Sequence, residues 1–153
     1  MRLPKFARAT VFLAGSATAL IAAAAAPAGA ATHPFPDVPT LAYGGLCGTS
    51  IRTWADTSQQ WPGRAVINVR ANPVVGVGPG IHPFAPLCEV ATTVTWHNLD
   101  TGATGSYVNN VVTGIYGSIQ YSLFQDTGPG RVEVVVTTNH ASIPARGSFV
   151  VPA

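Results

Sequence analysis

Strict two-residue alternation between Cys88 and His97 is the feature that most constrains how this chain folds. Cys, Val, Thr, Val and Trp occupy one set of positions, and Glu, Ala, Thr, Thr and His occupy the other. A β-strand with one buried and one solvated face produces this pattern, because successive side chains point to opposite faces. The alternation recurs in residues 118–123 and 131–137, with these apolar sets: Ile119, Tyr121 and Leu123, and Val132, Val134 and Val136.

Further strands and turns are predicted along the chain. Asn98–Gly102 and Asp126–Gly130 have the glycines that a bulged hairpin needs in the left-handed conformation. No stretch after residue 30 keeps a 3.6-residue period for ten residues, so little helix is expected. We therefore predict an all-β fold, a single immunoglobulin-like β-sandwich or small barrel over residues 41–153. The shorter predicted strands are Leu41 to Cys47, Ser50 to Ala55, Arg64 to Ala71, Gly105 to Val112 and Gly147 to Val151.

The first thirty residues have the three-part order of a secretory signal peptide. Residues 1–10 carry three basic side chains and no acid, residues 11–26 are apolar or small, and Ala28-Gly29-Ala30 suits a signal peptidase. A membrane anchor is the less favoured alternative, because the apolar run is shorter than the roughly 20 residues that span a bilayer. We expect a cleaved signal, no membrane span afterwards, and a secreted or cell-envelope location.

The two cysteines, Cys47 and Cys88, are predicted to form one disulfide, since both follow the export signal. With Trp61 between them, they superficially resemble the Cys…Trp…Cys spacing of antibody domains. However, Trp61 precedes Pro62, and Pro86 stands where those domains carry a tyrosine. The spacing therefore favours a similar architecture rather than membership of that family.

Charge excludes one class of partner. After residue 30 the chain has no lysine, and five arginines against six acids give a formal charge of −1. Nucleic-acid binding needs a basic stripe, which this composition lacks. The segment that follows the signal, residues 31–40, is rich in proline and is predicted to be an extended lead-in rather than a folded element.

No catalytic or metal-binding constellation is recognisable, and no cofactor or metal is expected. The chain contains no G-x-S-x-G, H-E-x-x-H or EF-hand spacing. His97 and His140 follow predicted strands and could act together only where those strand ends meet. Trp61, in the loop sequence Gln-Gln-Trp-Pro-Gly, is the best candidate for an exposed binding aromatic.

The segment Asn72–Leu87 does not fit a strand, because prolines and glycines interrupt its apolar residues. Long segments of this kind are usually functional or disordered. We expect its side chains to cap one end of the sandwich. The alternative is an exposed apolar contact surface, to which Ile81 and Phe84 would contribute.

Three segments, Thr93–Gly102, Thr127–Val132 and Gly147–Pro152, resemble small secreted actinobacterial proteins of mycobacterial type. The resemblance covers the C-terminal half. It implies a β-sandwich, and because its motifs are turns and strands it transfers no functional residues.

These observations favour a secreted, non-enzymatic binding module that contacts a component of the cell envelope or of a host. Two alternatives stay open. The apolar residues of 72–87 and the aromatic side chains also fit a carrier of a small apolar ligand. A small secreted hydrolase would require two carboxylates, or a histidine and a serine, to converge in one cleft.

Overall fold

A computed structural model describes residues 30–42, 47–75 and 87–153 of the chain, and within these ranges it contains strands and no helix. Accordingly, the described residues include no helix with the length and apolar character needed to cross a membrane. The ten strands are β1 (Ala31–Pro34), β2 (Val38–Ala42), β3 (Cys47–Thr57), β4 (Ala65–Ala71), β5 (Cys88–Asn98), β6 (Thr104–Thr113), β7 (Tyr121–Gln125), β8 (Gly130–Thr138), β9 (Ala141–Ser142) and β10 (Ala145–Val151).

The strands form two antiparallel sheets rather than one sheet closed into a barrel. The six-stranded sheet has the order β7-β4-β3-β2-β9, and β1 also pairs with β3. β2 pairs with the first half of β3 and β1 with its second half. The four-stranded sheet has the order β10-β8-β5-β6. The all-β, two-sheet part of the fold prediction is therefore confirmed.

Valine and isoleucine fill the space between the two sheets. The predicted inward face of β5 is confirmed, because Val90, Thr92 and Val94 are fully buried and Trp96 is nearly so. β8 contributes three buried valines, and Val134 stands directly opposite Trp96. Burial of one such aliphatic side chain contributes about 1.5–3 kcal/mol relative to its exposure. The alternation read from the sequence therefore marks the core.

The proline-rich segment 31–40 is part of the first sheet, which corrects its interpretation as a lead-in. β1 and the start of β2 lie here, and Phe35 between them and Val38 at the start of β2 are buried in the core. Proline cannot donate to a strand ladder, but it is tolerated at strand ends and edges. Pro34 ends β1, and among the described strands β1 pairs with β3 alone. Proline content alone therefore misled the sequence interpretation.

β7 begins at Tyr121, which corrects the predicted strand face that included Ile119. Ile119 precedes the strand and is 73% exposed. Tyr121 and Leu123 stand opposite inward residues of β4, and Tyr121 packs against the core. Leu123 is exposed because β7 is the edge strand of its sheet.

The two predicted turns differ in kind. Asn98–Gly102 belongs to the β5–β6 hairpin, and Gly102 has the expected positive φ of 77°. Asp126–Gly130 is not a hairpin, because it connects β7 in one sheet with β8 in the other. Its two positive-φ glycines, Gly128 and Gly130, redirect the chain between the sheets.

The buried amide of Asn98 holds these two turns together. Its Nδ2 donates to the carbonyl oxygens of Thr127 and Pro129 at 2.9 and 3.0 Å. Its Oδ1 accepts from the backbone N–H groups of Asp100 and Thr101 at 2.9 and 3.0 Å. One side chain therefore satisfies backbone groups that would otherwise be left unpaired at this end of the sandwich.

The predicted disulfide is present and bridges the two sheets. Cys47 opens β3 in the six-stranded sheet, and Cys88 opens β5 in the four-stranded sheet. Both are fully buried, their Cα atoms lie 6.1 Å apart, and Val74 packs beside them.

Candidate functional site

A shallow groove of about 300 Å³ lies on the outer face of the six-stranded sheet. Alternation in β3 creates it. Ile51, Thr53 and Ala55 point into the core, so Arg52 and Trp54 must point outward. The groove is lined by Thr32, Pro34, Arg52, Trp54, Arg70 and Gln120.

Two arginines face each other in this groove. Arg52 of β3 and Arg70 of β4 are direct cross-strand partners, which places their Cβ atoms roughly 5 Å apart. Both side chains are exposed, and neither guanidinium group forms an ion pair or hydrogen bond with another described residue. Like charges directly opposite each other destabilise a sheet. This pair is therefore positioned to share an anion from outside the protein.

The nearest acids on this face are engaged elsewhere. Oδ2 of Asp37 accepts hydrogen bonds from Ser50 and Asn72 at 3.2 and 3.0 Å. Asp56 accepts from Thr32 and from Asn68 at 2.6 and 2.7 Å. Neither carboxylate lies within 4.0 Å of an arginine nitrogen in the described part of the chain. Within the described ranges, the positive charge of the groove is therefore not neutralised by an ion pair.

A hydrogen-bond network fixes the polar floor beside the arginines. Asn68 is 1% exposed although its position in β4 alternates with the inward residues Ile67 and Val69. Its Oδ1 accepts from Ser122 Oγ at 2.6 Å and from Gln120 Nε2 at 2.9 Å. Together with the Asp56 contacts, this network links β7, β4, β3 and β1. These hydrogen bonds restrict the side chains of the cluster and hold them in place before any ligand arrives.

Trp54 supplies the aromatic surface of the groove. It is partly buried and stands between Asn68 of β4 and Pro34 of β1. The groove thus combines two unpaired cations, one aromatic ring and amide and hydroxyl groups.

The predicted binding aromatic Trp61 lies on the same face but outside the groove. Its ring packs edge-on against Phe124, with 5.2 Å between centroids. Cζ of Arg64 lies 4.5 Å from the centre of the Phe124 ring, and Arg64 also pairs with Asp126 at 2.7 Å. Arg64 is thus neutralised within the protein, unlike Arg52 and Arg70.

His97 and His140 are not brought together. His97 stands opposite Glu133, whereas Thr92 stands opposite Thr138, so His140 follows β8 at the other end of β5. That separation is on the order of 15 Å or more along the strand. Among the described residues, no three His, Cys, Asp or Glu side chains are grouped to hold a metal.

Ile81 and Phe84 lie outside the described residues, so their proposed binding role stays a prediction. At the borders of the segment Asn72–Leu87, Val74 is buried near the disulfide, whereas Val75 and Leu87 are 73% and 78% exposed.

Sequence reasoning missed the arginine pair. The alternation in residues 50–55 already put Arg52 and Trp54 on one solvated face, which was the available signal. The sequence does not place Arg70 beside Arg52, because that requires the pairing register of β3 with β4. The chain matches no protein-family model, and no curated protein or solved structure is significantly similar to it.

Proposed function

We propose that this chain is an exported, non-enzymatic β-sandwich that acts by binding, through the outer face of its six-stranded sheet, to a component of the cell envelope or of a host surface. The Arg52–Arg70 pair carries this proposal, since two opposed cations without an ionic partner among the described residues destabilise a sheet. The hydrogen-bonded polar floor and Trp54 support it, because binding sites require groups that are positioned in advance.

Export is part of the proposal. The predicted signal peptide of residues 1–30 lies outside the described residues, but β1 begins directly after the predicted cleavage point. The disulfide is compatible with an oxidising compartment. An immunoglobulin-like sandwich is likewise proposed rather than established, supported by two antiparallel sheets bridged by one disulfide.

Mass spectrometry of the protein recovered from the medium of an exporting bacterial host tests the export step. We expect a product that begins at Ala31 and is two hydrogens lighter than the reduced chain. A cell-retained product that keeps residues 1–30 would contradict it.

Cosedimentation with insoluble envelope material of the producing organism, and with host cells, tests the binding face. The double variant Arg52→Gln/Arg70→Gln should lose binding to at least one of these surfaces. Arg131→Gln/Arg146→Gln is the matched control, because it removes the same charge from the other sheet. Equal binding by the wild type and the groove variant would refute the proposed face.

A carrier of a small apolar ligand is the second candidate. An open depression of about 460 Å³ is lined partly by Leu41, Pro73 and Val75. Binding of a fluorescent fatty-acid analogue tests this function. Binding that Leu41→Asn weakens and Arg52→Gln leaves unchanged would favour the carrier function instead.

A further inference from the structure

We propose that the ligand of the Arg52–Arg70 groove is an anionic saccharide, a sugar ring that carries a carboxylate or another oxyanion. This inference rests on the proposed function and names the chemistry of the same site. It follows from three features of the groove: its charge, its aromatic ring and its hydrogen-bonding groups.

The arginine pair selects an oxyanion. Guanidinium groups stay charged at every physiological pH and offer a planar fork of N–H donors that matches a carboxylate, sulfate or phosphate. Arg52 and Arg70 stand side by side and have no partner among the described residues. An arriving oxyanion therefore relieves their repulsion without breaking an ion pair to a described residue.

Trp54 selects a ring next to that oxyanion. It lies two residues from Arg52 on the same face of β3, which is roughly 7 Å along the strand. This is about the length of one sugar ring with its acidic substituent. The weakly positive C–H groups of a sugar ring are attracted to the negative face of an aromatic ring. The spacing of charge and ring therefore fits one acidic sugar unit.

Amide and hydroxyl groups at the sides of the groove suit sugar hydroxyls. Gln120 Nε2 is held by Asn68 and Ser122, both at 2.9 Å, which orients the amide. No described residue donates to its Oε1, so that oxygen is available to accept from a ligand hydroxyl. The groove thus offers hydrogen-bonding capacity in addition to charge.

Other partner classes fit less well. Protein interfaces centre on an apolar core, and the apolar side chains that line this groove are Trp54 and Pro34. Nucleic acids require many cations along a track, and the groove offers two. An acidic peptide would pair with the arginines but would place no sugar ring against Trp54. Tetraglutamate tests this alternative.

Isothermal titration calorimetry on protein produced from the full chain distinguishes these ligands. The probes are tetragalacturonic acid, its fully methyl-esterified form, tetraglutamate and sodium sulfate. We expect the acid saccharide to bind best, and the neutral ester at least about tenfold more weakly, because the charge-assisted hydrogen bonds are lost. Affinity should fall as sodium chloride is raised, since the contact is exposed.

Variants assign this binding to the groove. Arg52→Gln/Arg70→Gln should weaken tetragalacturonate binding at least about tenfold, whereas Arg131→Gln/Arg146→Gln should leave it within about twofold because those residues lie on the other sheet. Trp54→Leu should weaken it while thermal melting confirms a folded protein. If both double-arginine variants lose binding equally, the binding depends on the net charge of the protein and not on the groove, and the inference is overturned.

The remaining outcomes are equally decisive. Tetraglutamate or sulfate binding as tightly as the acid saccharide would overturn the sugar assignment, as would no saccharide binding at about 5 mM. If the groove variants abolish cosedimentation but no saccharide binds, this inference fails and the proposed function stands. If they leave cosedimentation unchanged, the proposed function itself fails.

Discussion

Arg52 and Arg70 can be tested at the level of single residues, apart from any ligand. Arg70→Gln should leave the free energy of unfolding in urea unchanged or raise it by up to about 1 kcal/mol, because a like-charge pair is removed. Arg64→Gln is the control. It loses an ion pair and a cation–π contact and should be less stable by up to about 1 kcal/mol. Equal losses of unfolding free energy in Arg70→Gln and Arg64→Gln would mean that the Arg52–Arg70 pair stabilises the fold.

Tyr107 provides a second residue-level prediction. Burial raises the pKa of its phenol above the ordinary value, and its buried hydroxyl has no hydrogen-bond partner among the described residues. Above pH ~10 the unfolded chain ionises this tyrosine while the folded chain does not, so stability falls as pH rises, by up to about 1.4 kcal/mol per pH unit.

Tyr107→Phe should therefore be at least as stable as the wild type at pH 7 and lose less stability at alkaline pH. Urea denaturation at both pH values measures this. Tyr116→Phe, at an 82% exposed position, should keep the wild-type pH profile. If the stability of Tyr107→Phe depends on pH in the same way as that of the wild type, burial does not oppose ionisation of the Tyr107 phenol in the folded state.

At the level of elements, the close contact between β10 and the β1–β2 connection makes residues 31–40 part of the domain. A Cβ on Gly147 would overlap the ring of Phe35. Gly147→Ala should therefore cost about 1–3 kcal/mol in the free energy of unfolding, as overpacked cores do. Gly48→Ala is the control, because its nearest neighbour would be 3.8 Å away. A neutral Gly147→Ala variant would mean that Phe35 is displaced without cost.

The strand faces could be predicted from the sequence, whereas the pairing of strands could not. Alternation put Val90, Val94 and Val134 in the core because a half-buried strand requires it. Register depends on contacts between distant segments, so nothing local revealed that Arg52 stands opposite Arg70. For the same reason the crossover at Asp126–Gly130 was predicted as a hairpin, since its glycines suit either connection.

For the whole molecule, the Cys47–Cys88 bond is a disulfide cross-link between the two sheets. Its loop spans a sequence separation of 41 residues, and the chain-entropy estimate for that length is about 4 kcal/mol. Cys47→Ala/Cys88→Ala should lower the unfolding midpoint accordingly in oxidising buffer. Under reducing conditions the wild type should approach the variant. Thiol labelling should first confirm that dithiothreitol has reduced the bond. An unchanged unfolding midpoint in that reduced wild-type sample would contradict this expectation.

That bond also makes a covalent ring of the chain from Cys47 to Cys88, and the ring contains all of the glycine- and proline-rich stretch between β4 and β5. A protease that cuts once inside the ring leaves both pieces attached, so a nicked molecule migrates intact until a reductant is added. For a chain that is exported as proposed, the bond would keep the two pieces of a nicked molecule within reach of one another where hydrolytic enzymes are abundant.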